Sequence, residues 1–255
     1  FQYNKNDLLI KLNDEGHLSD FYDNQSGDNA LHLAIKNEKS GLIEQLNYIN
    51  PSDKNKSHQN ALHCAVISGS LSLVKKFLAC ENIDLNERAY FSYDGFNDKI
   101  SSFSGMQLTS LSAEPSTKFE IELTALQYAI RKGNVEIVKA FFESPRLGRR
   151  ELYETTHHSQ YNILHLAVLS ENLDMLDYML KSYERISIND FINQPTIDKL
   201  TPLGIAGLKQ STGMISALIE AGAQIRPAVT DRVISPLICV TYSGDIASVI
   251  IFVEQ

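Results

Sequence analysis

The apolar positions of this chain fall into a recurring figure. Six segments carry a small polar residue, a small residue or Pro, Leu, a variable pair and then a small residue. They read Asn29-Ala-Leu-His-Leu-Ala, Asn60-Ala-Leu-His-Cys-Ala, Thr124-Ala-Leu-Gln-Tyr-Ala, Asn162-Ile-Leu-His-Leu-Ala, Thr201-Pro-Leu-Gly-Ile-Ala and Ser235-Pro-Leu-Ile-Cys-Val. Their starts are separated by 31, 64, 38, 39 and 34 residues. Fourteen positions after each start a second apolar cluster is centred, on Ile43, Val74, Val138, Leu176, Ile215 and Val249. The opening Asn, Thr or Ser suits a helix N-cap. Pro202 and Pro236 stand where the first helical turn tolerates them. Near the tenth position comes a break, read at Gly69, Gly133 and Gly244 or at polar Asn172. Each segment therefore predicts two short antiparallel helices, neither able to bury its apolar face alone, so the units must stack.

These segments resemble ankyrin repeats, whose pattern runs T-P-L-H-x-A followed by Gly and an apolar second helix. The resemblance covers most of residues 29–255, and residues 1–28 read as a degenerate unit or cap with Leu9, Leu12, Gly16, His17 and Phe21 in the expected places. It implies an all-α solenoid of helix-turn-helix units that binds another protein through its concave groove and its loops. It also implies that His32, His63 and His165 tie the turns between repeats. A zinc site is the competing use of those histidines. Stacked helices lie about 8–10 Å apart, too far for two of them to share an ion held at about 2 Å.

Two units' worth of chain separates the second and third starts, with no second motif inside. Asp94-Gly95 is a hairpin signal flanked by aromatics, and residues 101–117 are rich in Ser and Thr. The segment at about 88–121 is expected to be an extended β-hairpin finger; a degenerate helical repeat is the competing reading. Tyr90 and Phe96 share one face of a regular strand, Phe91 and Tyr93 the other. One set is expected to pack on the helices and the other to meet a partner. Smaller extensions at 144–161 and 182–200 enlarge the next two connections.

A helical wheel places positions three, six, seven and ten of the motif inward and positions five, eight and nine outward. The fifth position is apolar throughout: Leu33, Cys64, Tyr128, Leu166, Ile205 and Cys239. Either neighbouring helices shield this stripe or it is a partner contact. Tyr128, Arg131, Lys132, Leu169, Leu208 and Tyr242 are the partner-binding candidates here. Arg146, Arg149 and Arg150 are either a solvated loop or, with Arg131 and Lys132, a patch that steers an acidic segment. Leu78 to Asn86 resembles the ankyrin-type target of asparaginyl hydroxylases, with Asn86 as acceptor, although Asp84-Leu-Asn86 equally suits an inter-repeat turn.

Composition narrows the remaining classes. A chain of 255 residues that is 43% hydrophobic and 21% charged has material for a large core, and its net charge of −8 argues against nucleic acid as the main ligand. No apolar run is long enough to span a bilayer. Cys64, Cys80 and Cys239 form no disulfide framework, so the cytoplasm or another reducing compartment fits, including a host cytosol reached by secretion. His63 and Cys64 are sequence neighbours whose side chains point about 100° apart on a helix, so they form no dyad. No nucleophile-elbow, phosphate-loop or dinucleotide glycine signature occurs, so no catalysis, cofactor or metal is expected within these residues. The alternative function is the substrate-recruiting arm of a larger enzyme or host-directed bacterial effector. The chain starts at Phe1 and reads as a piece of something longer. Its last helix, Ala247-Ser-Val-Ile-Ile-Phe-Val, is apolar nearly all round, which predicts a cover supplied by further chain or by self-association.

Overall fold

A computed structural model describes residues 22–46, 49–92, 120–157, 159–182, 187–227 and 233–254. Each motif opens an inner helix and is followed by an outer one. The inner and outer pairs are α1 (Ala30–Lys36) with α2 (Ser40–Gln45), then α3 (Ala61–Ser68) with α4 (Leu71–Leu78). Strands β1 (Arg88–Ser92) and β2 (Glu120–Thr124) come next and pair with each other. They are followed by α5 (Ala125–Arg131) and α6 (Val135–Glu143). A short α7 (Arg149–Tyr153) precedes α8 (Ile163–Leu169) with α9 (Leu173–Lys181), and a short α10 (Ile188–Phe191) precedes α11 (Pro202–Leu208) with α12 (Thr212–Glu220). The last pair is α13 (Pro236–Ser243) and α14 (Ile246–Val253). The two connections read as plain extensions thus each contain a helical turn, with Leu152 and Phe191 as its buried side chain. Among the described residues no helix is long and apolar enough to cross a membrane.

Two compact units are distinguished, residues 1–91, 121–129 and 136–148, and residues 92–120, 130–135 and 149–255. Within the first, Ile35, Leu46, Leu62, Ile83 and Phe141 are among the largest fully buried side chains. In the second, Leu164, Met175, Leu203, Ile215 and Phe252 are buried.

The break between inner and outer helix has one conformation in all six repeats. Position ten has positive φ: Glu38 (54°), Gly69 (75°), Gly133 (69°), Glu171 (56°), Gln210 (59°) and Gly244 (73°). The break expected at Asn172 lies one residue earlier, at Glu171. Asn172 instead caps α9, its side chain accepting from the Met175 N–H while its Nδ2 donates to the Gly133 carbonyl at 3.0 Å. The left-handed region favours Gly because a Cβ crowds the following carbonyl. Three repeats hold a longer side chain there because the helix pair fixes the turn from both sides.

The loops between repeats form a ladder that residue spacing does not reveal. Each is a tight turn whose next-to-last bonds close on themselves, as in Asn55 N–H to the Gln59 carbonyl at 3.0 Å and Thr196 N–H to the Leu200 carbonyl at 2.9 Å. Within each unit successive loops are bonded to one another. Lys56 N–H donates to Ser26 at 2.9 Å and Tyr90 N–H to Ser57 at 2.8 Å in the first unit. Ile197 N–H donates to Ser159 at 3.3 Å and Ile234 N–H to Lys199 at 2.8 Å in the second. In the first unit a buried carboxylate reinforces the joint: Asp28 accepts from Lys36 Nζ at 2.8 Å and from Asn55 Nδ2 at 2.7 Å. Burial alone would raise the Asp28 carboxyl, but these donors and Ser26 outweigh it and hold it below its ordinary range.

In the second unit, α11 and α13 pack closely because two side chains are missing. Gly204 and Gly207 lie three apart on one face of α11, and α13 packs onto them through Cys239 and Val240. A Cβ at Gly207 would stand 2.6 Å from Val240 Cγ2. Gly207→Ala is therefore expected to destabilise the second unit by about 1–3 kcal/mol, because Val240 is β-branched and buried and cannot move aside. A chemical denaturation midpoint equal to that of the parent chain would refute this. Glu38→Gly should act in the opposite direction, adding about 0.5–1 kcal/mol by relieving a left-handed turn on an exposed side chain. A lowered melting temperature in that variant would show that the turn is not under strain.

Candidate functional site

Five of the six inner helices, all but α13, begin at a buried capping residue, where water does not reach their first N–H groups. Asn29, Asn60 and Asn162 solve this with their side chains, each accepting the N–H of the histidine three residues on. The histidine returns the bond: its Nδ1 accepts the N–H of the capping residue, at 3.2 Å for His32, 3.3 Å for His63 and 3.1 Å for His165. With Nδ1 accepting, the neutral ring carries its proton on Nε2. That Nε2–H reaches the carbonyl of Glu87 at 3.1 Å from His63, and of Leu200 at 3.2 Å from His165. Both ring nitrogens are thus committed within the protein, which leaves neither for a metal. In the third repeat Thr124 and Gln127 make the same reciprocal pair, with Thr124 N–H to Gln127 Oε1 at 3.1 Å and Gln127 N–H to Thr124 Oγ1 at 3.2 Å.

Burial keeps these rings uncharged. It holds the His63 imidazole down at about 4 and that of His165 at about 3, and it lowers His32 too. Burial also pushes the Cys64 and Cys239 thiols up to about 12, so neither is a nucleophile at neutral pH.

The root of the finger is built on β1 and β2. Ala89, Phe91 and Leu123 form a buried cluster with Ile121 and Tyr128 packed against it. Phe91 lies flat on Tyr128, ring centres 4.0 Å apart and planes 17° from parallel. Tyr90 points the other way, as alternation along a strand requires, and meets His58 at 5.0 Å between ring centres. Gln59 Nε2 donates to the Tyr90 carbonyl at 3.1 Å. The root is therefore held by a strand on one side and by the preceding loop on the other. Of the expected finger aromatics, Phe91 is in the core, Tyr90 is half-buried, and Tyr93 and Phe96 lie outside the described residues.

Several helix-face candidates sit elsewhere than the wheel places them. Leu169 and Leu208 are buried, as are Leu33, Cys64, Leu166, Ile205 and Cys239 at the fifth position. The wheel treats each inner helix as one-sided. In a stack the same helix is covered by its outer partner and by a neighbour on each side, so an apolar fifth or eighth position packs inward. Arg131 is half-buried and its guanidinium donates to the Leu169 carbonyl at 2.9 Å, at the end of α8. Lys132 and Tyr242 are exposed, and Tyr128 is half-buried.

Arg146 is not part of a loose basic patch. Its guanidinium spans the carbonyls of Leu78 at 3.1 Å, Cys80 at 2.6 Å and Ile83, closing the C-terminal end of α4 where carbonyls lack helical partners. Arg149 lies over the Tyr153 ring at 5.7 Å, and the Tyr153 hydroxyl donates to Asp190 at 2.7 Å. Asn86 sits in the turn after α4, its N–H donating to Asp84 Oδ1 at 2.9 Å.

Comparisons place this arrangement. A family model of ankyrin repeats (3 copies) matches residues 2–89 and again 104–190. Among solved structures the chain is similar to the ankyrin repeat domain of Bcl-3, a member of the IκB protein family, at 19% identity and TM-score 0.65, covering 98% of this chain and 91% of that one. It is similar at 14% identity and TM-score 0.63 to a chain of the Bd0816 predatory endopeptidase from Bdellovibrio bacteriovorus in complex with immunity protein Bd3460, covering 89% and 98%. An ankyrin repeat domain from Acinetobacter baumannii AYE is similar at 15% identity and TM-score 0.60, covering 88% and 96%. No match was found among curated protein sequences.

The capping histidines give the fold a pH dependence of known sign. Unfolded, each takes its proton near pH 6.5; folded, it refuses it until about pH 4 for His63 and about pH 3 for His165. Stability is thus complete above about pH 6.5 and falls as pH drops, by about 2 kcal/mol per ring at pH 5. His165→Gln, which imitates Gln127, should remove its share of that slope between pH 6.5 and 4. Denaturation midpoints that fall equally steeply in variant and parent would contradict this.

Proposed function

Because this chain belongs to the ankyrin-repeat family, whose repeats are protein–protein interaction modules, we propose that it binds a partner protein through its finger and the adjoining groove. The observation that carries the reading is the clamped root of the finger. Phe91 stacked on Tyr128, with the Tyr90 backbone bonded to Ser57 and Gln59, fixes the strand that leads into residues 93–119. A segment that long, launched from a rigid root, is worth anchoring when it makes a contact. Tyr93 and Phe96 are the finger residues offered to the partner, with Tyr90 at the base. On the inner helices, Tyr128, Lys132 and Tyr242 are the further residues assigned to the partner; Arg131 donates to the Leu169 carbonyl, and Leu169 and Leu208 are buried. The complex containing immunity protein Bd3460 lends support, as a chain of similar fold in an assembly with another protein. The same surface would serve a substrate-recruiting arm of a larger enzyme or a host-directed effector, and the identity of the captured protein separates these uses.

Replacing residues 93–119 by a short Gly-Ser turn between Ser92 and Glu120 tests the reading. Helical circular dichroism and the melting temperature should be kept, since Phe91, Leu123 and Tyr128 all remain. Affinity for a protein retained from lysate by the intact chain should fall at least tenfold, about 1.4 kcal/mol. Unchanged affinity would remove the finger from the interface. Loss of folding together with binding would assign those residues to the core.

A further inference from the structure

Each inner helix starts at a loop and ends, at its other extreme, in the turn to the outer helix. In the second unit side chains tie these turns across the joints between repeats. Arg131 donates to the Leu169 carbonyl at 2.9 Å and Asn172 to the Gly133 carbonyl at 3.0 Å. Lys209, its side chain 6% exposed, pairs with Glu171, and Gln210 Nε2 donates to the Ser243 carbonyl at 2.6 Å. All four donors stand at motif positions eight to eleven. At the loop edge Ile197 N–H bonds Ser159 and Ile234 N–H bonds Lys199. The second unit is therefore bonded at both ends of its inner helices.

The first two repeats use the same positions differently. Asn37 Nδ2 turns back to the Leu33 carbonyl of its own helix at 2.7 Å, and Ser68 Oγ to that of Ala65 at 3.0 Å. Lys36 Nζ is spent on Asp28 ahead of its own helix, and Ser70 bonds Ser72. None of these four side chains crosses the joint. At the loop edge the joint is bonded repeatedly: Lys56 N–H to Ser26, Lys56 Nζ to the Asn24 carbonyl at 2.6 Å, and Asn55 to Asp28. Burial follows the same division. Leu169 and Leu208 at position eight are buried in the second unit, whereas Ile67 at that position is 38% exposed.

We infer that the joint between the first two repeats is a hinge, fixed at its loop edge and opening at its turn edge, while the turns of the second unit stay closed. Opening spreads the C-terminal ends of α1 and α3 and breaks none of the bonds named above. Such local opening draws on the least cross-linked part of a structure. On the reading that inner helices contribute to partner binding, the hinge lets this part of their face adjust its width to the bound protein. The hinge itself belongs to the free chain, and its test needs no partner.

Hydrogen exchange of the intact chain, resolved to single amides, tests this. The turn amides of the two units make equivalent bonds: Glu38 to Ile35, Lys39 to Ala34 and Gly69 to Val66 in the first, Gln210 to Gly207, Ser211 to Ala206 and Glu171 to Val168 in the second. A difference between the sets therefore reports the joint rather than the turn. With intrinsic rates divided out, Glu38, Lys39 and Gly69 should exchange about tenfold faster, the worth of one net hydrogen bond. The loop amides of Lys56 and Ile197 should be protected alike. Glu38 occupies the position of Glu171, and Ser68 that of Lys209, so Ser68→Lys copies the Lys209 pair into the first joint. It should slow Glu38 and Lys39 by about threefold or more, and Lys209→Ser should speed Gln210 and Ser211 by as much. Equal protection of the two sets of turns overturns the proposal. Exchange as fast at Lys56 as at Glu38 and Lys39 overturns it too, because the first repeats would then open as a whole. Turn rates unmoved in either variant, in a chain of parental circular dichroism, overturn it likewise.

Discussion

Five of the six inner helices described, all but α13, start in a place without water, and their packing depends on meeting that condition. Loop over helix is what buries Leu, Ala and Val of the motif, so the same contact that stabilises the repeat strands the first N–H groups of its helix. An unsatisfied buried N–H costs about 1–3 kcal/mol, comparable to the gain from a buried aliphatic side chain. Reciprocal bonding by Asn and His, or by Thr and Gln in the third repeat, removes that cost. The imidazole does more than cap, since its far nitrogen reaches the carbonyl of the next turn, Glu87 or Leu200. One side chain therefore fixes the start of a helix and the path of the chain leaving the repeat.

Helix and loop divide the labour as a result. Helices supply apolar area, while loops supply direction through single backbone bonds such as Ser57 to Tyr90 and Lys199 to Ile234. The finger root continues the same construction: its first strand takes the place of an ordinary loop and keeps the ordinary bond to the loop before it. Insertion of a long segment there disturbs neither the capping pair of Thr124 and Gln127 nor the helices beyond it.

Much of this was legible from residue spacing, because it is set by short-range geometry. Asn or Thr succeeded three residues later by His, Gln or Gly, with Leu between, fixes the inner helix and its cap. Gly at position ten in three repeats reveals the left-handed turn, and the other three emerge once Glu38, Glu171 and Gln210 are aligned by number. The wheel places Leu169, Leu208 and the fifth positions outward, and their burial fits the shielding by neighbouring helices that was one of the two readings of that stripe: a helix in a stack has three covered sides. Arg146 was opaque for a related cause. A basic residue in a loop looks the same in sequence whether it faces water or closes a helix sixty-odd residues earlier, where it spans the carbonyls of Leu78, Cys80 and Ile83. The short helices at Arg149–Tyr153 and Ile188–Phe191 are too brief for a periodic signal.

Repeat arrays are often treated as beads that can be added, removed or exchanged. Gly204 and Gly207 make that untrue at one joint here. Their bare face admits Cys239 and Val240, and the equivalent positions in other repeats carry His63 and Val66, or His165 and Val168, which would fill the same space. The fifth and sixth repeats are thus keyed to each other. A duplication or recombination event that separated them would have to carry both, so this pair is expected to be inherited as a single block while repeats with the Asn–His cap remain free to shuffle.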